Sequence, residues 1–189
     1  MLRNPVNNLF LIIPLSILSI LLIFLFFAYE IKFVAGKIVI NSRILDEVKS
    51  TLIGRKSPEL RLSNFLDKKL PNVSDLKTEN YKLVNFWASW CAPCRAEHKN
   101  LVEISKLGHN IIGVNYKDNF ENAEQFLKDL GDPYYRIGSD QNGEAAIAWG
   151  VYGIPETFLI DSENKIVTKI AGPITRSMYE NKLKKYLDP

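Results

Sequence analysis

Hydrophobic and polar positions follow three patterns along this chain, and the first is a continuous apolar run near the N-terminus. Residues 9–28 read L-F-L-I-I-P-L-S-I-L-S-I-L-L-I-F-L-F-F-A and contain no charged side chain. About 20 residues of this character are enough for a helix to cross a bilayer. The run is longer than the apolar core of a typical signal peptide, and no A-x-A-like cleavage site follows it. It therefore predicts an uncleaved transmembrane anchor.

The anchor divides the chain into four predicted parts. These are a cytoplasmic N-terminus at residues 1–8, the anchor at 9–28, a tether of mixed polarity at 29–50 and a folded domain at 51–189. The few cations beside the span do not determine its orientation, because one arginine precedes it and two lysines follow it closely. Export is the simplest arrangement for a large domain behind a single N-terminal span, so we expect the domain outside the cytoplasm.

In the domain, short apolar runs typical of buried strands alternate with stretches whose apolar residues recur at helical spacing. The predicted strands cover residues 83–88, 110–116, 134–138, 157–160 and 165–171, and the predicted helices cover 93–107, 120–130, 143–149 and 175–187, the last capped by Thr175. Alternating Leu60 and Leu62 indicate a further short strand. This order predicts an α/β domain with a mixed sheet, in which the strands at 83–88 and 110–116 are parallel.

Both cysteines of the chain lie in one motif, W-C-A-P-C at residues 90–94, where a predicted strand turns into a predicted helix. This position puts Cys91 at the helix N-terminus, where free backbone N–H groups and the helix dipole stabilise a thiolate. Cys94 lies one turn further along and is expected to be more buried. One sulfur is therefore placed to attack a disulfide and the other to resolve the mixed disulfide.

The cysteine pair has two other interpretations. A structural disulfide would close only a very short loop and would add little stability. A zinc site would need two ligands besides the cysteines, and only His98, four residues after Cys94, is close enough along the chain to be one. We expect His98 to be a solvated helix residue and His109 to lie in a loop. The neighbouring Trp90 and the proline inside the motif favour redox chemistry.

Composition and charge limit the number of domains and the kinds of partner, but they do not indicate a function. The chain has 189 residues, of which 47% are hydrophobic, and this is enough for one packed domain and a short appendage. The formal net charge is +3, and the basic residues are scattered instead of forming a phosphate-binding surface. We therefore expect no nucleic-acid partner. With two cysteines in total, the domain must depend on an ordinary hydrophobic core.

The sequence W-A-S-W-C-A-P-C at residues 87–94 resembles the active-site segment of thioredoxin. A second segment, G-V-Y-G-I-P-E-T-F-L-I-D at 150–161, is similar to the signature of the CcmG/DsbE group. These are membrane-anchored thiol:disulfide interchange proteins of cytochrome c maturation, within the TlpA-like branch. Shorter segments at 52–59, 95–98 and 113–118 also resemble that group. The resemblance implies a thioredoxin-like fold with a central αβ insertion at about 111–149, preceded by one N-terminal transmembrane helix.

The resemblance also implies roles for particular residues. Cys91 and Cys94 would form the catalytic redox disulfide, and Pro155 would be a cis-proline that faces them. The backbone of Ile154 could then pair with a substrate peptide as an added strand. Further groove residues would be Trp90, which would also shield Cys94, and the two acids Glu97 and Glu156. A carboxylate near Cys91 opposes the helix dipole and should raise the thiol pKa, so we hypothesise a reducing couple.

One departure from thioredoxin concerns the strand before the cysteines. Thioredoxin has a buried aspartate there, which aligns with Asn85 in this chain. An asparagine side chain cannot accept the proton of Cys94. The proton acceptor would have to be water, Glu97 or another group, and the sequence does not decide between them.

The resemblance implies reduction of disulfides in apocytochrome c or in cytochrome c maturation proteins. Electrons would come from a membrane thiol-electron transporter of the DsbD/CcdA type, and the domain would face the periplasm from the bacterial inner membrane. No metal or organic cofactor is implied. Two alternatives stay open: a TlpA-like reductase with another client, and a non-enzymatic copper carrier that uses the cysteines and a histidine. A peroxiredoxin is disfavoured because its T-x-x-C motif is absent.

Overall fold

Five strands form one mixed β-sheet in the computed structural model, which describes residues 23–24, 51–76 and 80–188. The strands are β1 (Lys82–Trp87), β2 (Ile111–Tyr116), β3 (Arg136–Asp140), β4 (Glu156–Ile160) and β5 (Ile166–Ala171), in the spatial order β3-β2-β1-β4-β5. The neighbours β1, β2 and β3 are parallel, whereas β4 is antiparallel to both β1 and β5. The predicted α/β class and the parallel pairing of β1 with β2 are confirmed.

The four predicted helical regions occur in the predicted order, and one further short helix precedes β1. The helices are α1 (Val73–Leu76), α2 (Ala92–Lys106), α3 (Phe120–Leu130), α4 (Glu144–Ala148), α5 (Arg176–Met178), a π-helical segment (Tyr179–Leu183) and α6 (Lys184–Leu187). Thr175 caps the C-terminal helical region as predicted, because its hydroxyl accepts a hydrogen bond from the backbone N–H of Met178 at 3.2 Å. The interruption of this last helix by the π-helical segment was not predicted.

Alternating side chains of β1 supply two hydrophobic cores, one on each face of the sheet. Leu83 and Trp87 belong to the core that also contains residues of α2, α3 and the C-terminal helical region. Val84 and Phe86 belong to the second core, which also contains residues of α4 together with Phe158 and Ile160 of β4. Because β1 is buried along its whole length, the loop that follows it is anchored where the cysteines begin.

The segment before β1 differs from its prediction. Leu60 and Leu62 do not lie in a strand, and isolated bridges join Ile53 to Ile166 and Ser63 to Ser139 instead. Two alternating leucines are too short a pattern to specify a strand. The short helix α1 was not among the predicted elements.

The predicted anchor at residues 9–28 lies outside the described residues except for Ile23 and Phe24, which are helical. Among the described residues, no helix combines the length and the apolar character that a bilayer crossing requires. Residues Lys49–Pro189 form one compact unit.

Candidate active site

The two cysteines are joined by a disulfide at the start of α2. Cys91 is the N-cap of this helix, and its Sγ accepts a hydrogen bond from the backbone N–H of Cys94 at 3.1 Å. The placement agrees with the prediction and gives a thiolate at Cys91 a backbone donor within reach. The expected contrast in burial is small, since Cys91 is 4% exposed and Cys94 is 2% exposed in this oxidised state.

A loop at residues 150–156, here called the cis-proline loop, faces the disulfide. The peptide bond between Ile154 and Pro155 is cis. The carbonyl oxygen of Ile154 lies 3.6 Å from Sγ of Cys91. The carbonyl of Pro155 accepts a hydrogen bond from the backbone N–H of Gly172 at 2.9 Å, which connects the loop to the end of β5. The backbone at Ile154 is therefore next to the sulfur that would carry a mixed disulfide.

Trp90 lies at the surface beside the cysteines. Trp90 is 60% exposed. Its indole Nε1 nevertheless donates a hydrogen bond to the carbonyl of Lys117 at 3.1 Å. An open depression of about 290 Å³ adjoins it and is also lined by Ser89, Arg95 and Phe126. The hydrogen bond fixes an exposed aromatic face, and such a face suits contact with another protein.

Glu97 lies on α2 one turn beyond Cys94, but it is buried and does not line a surface groove. The residue is 1% exposed, and its carboxylate accepts hydrogen bonds from Asn85 Nδ2 at 2.9 Å and from the backbone N–H of Ile174 at 2.7 Å. Burial raises the pKa of Glu97 to about 7, against the opposing effect of these two donors. Glu97 was expected to line the substrate groove. It lies below the surface instead, because both of its hydrogen-bond donors are inside the domain.

Asn85, which replaces the aspartate of thioredoxin, is fully buried and has three hydrogen bonds that fix its amide. Nδ2 donates to Glu97 and to Thr157 Oγ1, the latter at 2.9 Å, and Oδ1 accepts from Tyr134 Oη at 2.8 Å. Tyr134 reaches this position over Gly113, where a β-carbon would lie 2.8 Å from Cγ of the tyrosine ring. Asn85 therefore holds Glu97 and has no group that could accept a proton from Cys94.

Glu156 also differs from the expectation of a groove residue, because it is 3% exposed. Its Oε2 lies 2.8 Å from Nζ of the buried Lys169, and the two groups form an ion pair. Oε1 accepts a hydrogen bond from the backbone N–H of Tyr152 at 3.2 Å. Burial raises the pKa of Glu156, whereas Lys169 lowers it. The lysine thus offsets the charge that was expected to act on Cys91.

A second polar network, absent from the sequence prediction, supports the loop before the cysteines. The carboxylate of Asp118 accepts hydrogen bonds from the backbone N–H of Ser89 at 2.6 Å, from Ser89 Oγ at 2.7 Å and from Asn115 Nδ2 at 2.8 Å. A signal for it existed, because Asp118 ends the segment at 113–118 that resembles the family. The network connects β2 to the residues just before Trp90.

The two histidines do not join the cysteines. His98 is 2% exposed, not solvated as expected, and its Nε2 lies 2.7 Å from the carbonyl oxygen of Gly131. His109 Nε2 lies 2.8 Å from Asp188 Oδ1. Within residues 51–76 and 80–188, no group of three or more His, Cys, Asp and Glu side chains is arranged to hold a metal ion. The histidine ligand that a copper carrier would need is therefore engaged elsewhere.

Comparison with known proteins agrees with this geometry. The Redoxin family profile matches residues 52–187. The chain is 40% identical over 149 residues to the thiol:disulfide interchange protein HelX of Rhodobacter capsulatus. The aligned region covers 79% of this chain and 85% of HelX. It is 42% identical over 138 residues to the thiol:disulfide interchange protein DsbE of Vibrio cholerae. This aligned region covers 72% of this chain and 74% of DsbE.

The fold is also that of a solved structure. The thioredoxin domain of a thiol-disulfide oxidoreductase from Bacteroides vulgatus superposes with a TM-score of 0.61 at 22% identity, over 74% of this chain and 100% of that domain. The predicted thioredoxin-like fold and the predicted class of enzyme, a thiol:disulfide interchange protein, are thereby confirmed. This chain belongs to the CcmG/DsbE family of thioredoxin-like thiol:disulfide interchange proteins.

Proposed function

We propose that this enzyme reduces disulfides of apocytochrome c, or of its maturation partners, outside the bacterial inner membrane. The observation that carries the proposal is the pair of cysteines at the N-terminus of α2, with the Ile154 carbonyl 3.6 Å from Cys91 Sγ. The cytochrome client follows from the family resemblance. The apolar run at residues 9–28 supports a single-pass anchor, with a cytoplasmic N-terminus at 1–8 and a tether at 29–50.

The reaction begins from the reduced dithiol. The Cys91 thiolate attacks one sulfur of the client disulfide, the client S–S bond breaks, and a mixed disulfide forms while the first client thiolate leaves and takes up a proton. The Cys94 thiolate then attacks the Cys91 sulfur, and the Cys91–client S–S bond breaks. The second client sulfur leaves as a thiolate and takes up a proton from the solvent. The client gains two electrons and two protons, and the enzyme is left with the Cys91–Cys94 disulfide that the structure contains.

The second step needs an acceptor for the proton of the Cys94 thiol, and we assign that role to Glu97. Residues three apart on a helix lie on the same face, so this carboxylate is on the Cys94 side of α2. Its pKa of about 7 suits reversible proton transfer near neutral pH. Asn85 and the backbone of Ile174 keep the carboxylate in place, since both donate hydrogen bonds to it.

The client would bind along the cis-proline loop. An extended peptide can pair with the backbone of Ile154 as an added strand, and this places a client cysteine beside Cys91. The exposed face of Trp90 would contact client residues on the other side of the sulfur. Glu97 and Glu156 would support this groove from below, because both are buried.

Electrons for each cycle would come from a membrane thiol-electron transporter of the DsbD/CcdA type. The oxidising compartment itself cannot supply them, because it favours disulfides. A reduced carrier would attack the Cys91–Cys94 disulfide by the reverse of the steps above and would itself become oxidised.

A trapping experiment in cytochrome-producing cells tests the client. In a Cys94→Ala variant, the mixed disulfide on Cys91 cannot be resolved, so the client stays attached. We expect c-type apocytochrome or a maturation protein on non-reducing gels, and no adduct with a Cys91→Ala/Cys94→Ala control. Recovery of other proteins alone would replace this proposal with a TlpA-like reductase of broader use.

The anchor is tested separately. Full-length chain should stay in the membrane pellet after alkaline carbonate extraction, and a protease added to spheroplasts should digest the domain. Extraction into the supernatant would contradict the anchor without affecting the dithiol chemistry.

A further inference from the structure

A buried lysine that the exchange chemistry does not use lies at the cis-proline loop. Lys169 is on β5, where it is the register partner of Phe158 on β4, and its side chain is 4% exposed. A charged group so thoroughly removed from water needs partners that replace its hydration. All three of the partners described below belong to the loop at residues 150–156.

One ammonium group contacts the beginning, the middle and the end of this loop. Nζ of Lys169 donates a hydrogen bond to the carbonyl of Gly150 at 2.7 Å and lies 4.3 Å from the ring centre of Tyr152. It also lies 2.8 Å from Oε2 of Glu156. The loop is closed further by the bond from the Tyr152 backbone N–H to Glu156 Oε1. Lys169 therefore connects the two ends of the segment that carries Ile154 and Pro155.

The position of this segment determines how a client meets the reactive sulfur, because Ile154 O lies 3.6 Å from Cys91 Sγ. We propose that Lys169 is a positioning residue that holds the cis-proline loop where a client peptide can pair with Ile154 while its disulfide meets Cys91. The inference rests on the proposed function, since it concerns the binding of a peptide client. Lys169 does not touch the sulfur atoms and takes no part in the transfer of electrons or protons.

Two disulfide substrates of different size can distinguish a positioning role of Lys169 from a general stabilising role. Hydroxyethyl disulfide needs access to Cys91 alone, whereas a peptide with an intramolecular C-x-x-C disulfide must also bind the loop. The reduced full-length chain is mixed with each, and the rate of its oxidation is followed. For Lys169→Met we expect the second-order rate constant for oxidation by the peptide to fall about tenfold, because the peptide binds more weakly before the exchange. The rate with hydroxyethyl disulfide should change less than about twofold.

Matched variants complete the design. Lys165→Met removes an exposed lysine of the same hairpin, whose partner is the exposed Glu163, and should leave both rates unchanged. Lys169→Arg keeps a cation and should recover part of the peptide rate. If Lys169→Met does not fold because Glu156 is left as a buried unpaired charge, Lys169→Met/Glu156→Gln removes both charges and should show the same selective loss.

Three results would overturn the proposal. The first is a folded Lys169→Met variant that reduces the peptide as fast as the wild type. The second is an equal loss with both disulfides, which would mean a general structural effect. The third is a wild-type chain that reduces hydroxyethyl disulfide but not the peptide, and this result would remove the proposed function as well.

Discussion

Nδ2 of Asn85 donates a hydrogen bond to Oε1 of Glu97 at 2.9 Å, and neither residue has more than 1% of its surface exposed. An amide thus stands beside the carboxylate on the core side of the catalytic helix. A carboxylate in the place of Asn85 would compete with Glu97 for a single proton. Because the amide can only donate through Nδ2, the buried site has one titratable carboxyl group with a defined orientation.

Glu97→Gln should change how stability depends on pH. The pKa of Glu97 is about 7 in the folded protein and 4.5 in the unfolded chain. Between these values the folded state keeps a proton that the unfolded state releases, so this group lowers stability as the pH rises towards 7 and has a constant effect above it. The full difference corresponds to roughly 3 kcal/mol of unfolding free energy.

Urea unfolding of the oxidised wild type and of Glu97→Gln, at several pH values between about 4 and 8, measures this difference. The difference between the two proteins removes the contribution of other groups to the pH dependence, such as that of His98, whose pKa is lowered by burial. Parallel stability curves for the two proteins would show that Glu97 does not titrate in this range.

Asn85→Asp should destabilise the domain more at alkaline pH than at acid pH. The ionised side chain cannot donate to Glu97 or Thr157, and it places a second buried charge beside Glu97. We expect a loss of about 2–4 kcal/mol near neutral or higher pH, and a smaller loss when one carboxyl is protonated. Urea unfolding at about pH 5 and pH 8 checks this, with the exposed Asn122→Asp as the control. The same loss at both pH values would contradict it.

Asp118→Ala should loosen the loop that precedes the cysteines. The change leaves the Ser89 backbone N–H, the Ser89 hydroxyl and the Asn115 amide without their acceptor. Loss of the acceptor for three donors, of which the Asn115 amide is buried and the two of Ser89 are half-buried, should cost about 2–4 kcal/mol together. Hydrogen exchange should be faster at the Ser89 amide. Asp129→Ala removes an exposed aspartate that accepts only from Gln125 Nε2, and it should have little effect on either measurement. Unchanged exchange at Ser89 would show that the loop is held by other contacts.

The sequence predicted those parts of the fold that depend on local patterns. The apolar run of β1 followed by helical spacing in α2 was enough to place Cys91 at a helix N-terminus. The bounds of α3 were predicted without error, because Asn119 caps a helix with clear periodicity. The strand expected around Leu60 and Leu62 failed because two residues do not make a pattern. The π-helical segment after Met178 has no local signal that distinguishes it from an α-helix.

The environment of the two glutamates could not be predicted in the same way. A charged residue is assigned to the surface unless a partner is known, and the partners here come from distant parts of the chain. Glu97 meets Asn85, 12 residues away along the chain, and the backbone of Ile174, 77 residues away. Glu156 meets Lys169 through the antiparallel pairing of β4 with β5. Such contacts depend on the strand order and register, which sequence periodicity does not contain.

The edge position of β5 has a consequence for the temperature range in which the enzyme can select its clients. In the described part of the chain, isolated bridges reach the outer hairpin only near Ile166 and Lys165, whereas Lys169 lies further along the strand. Parts of a domain with few supporting contacts can open locally before the whole domain unfolds. Warming should therefore release the cis-proline loop while the dithiol at the start of α2 stays in place. Any discrimination between disulfides that depends on this loop should then disappear at a lower temperature than chemical reactivity.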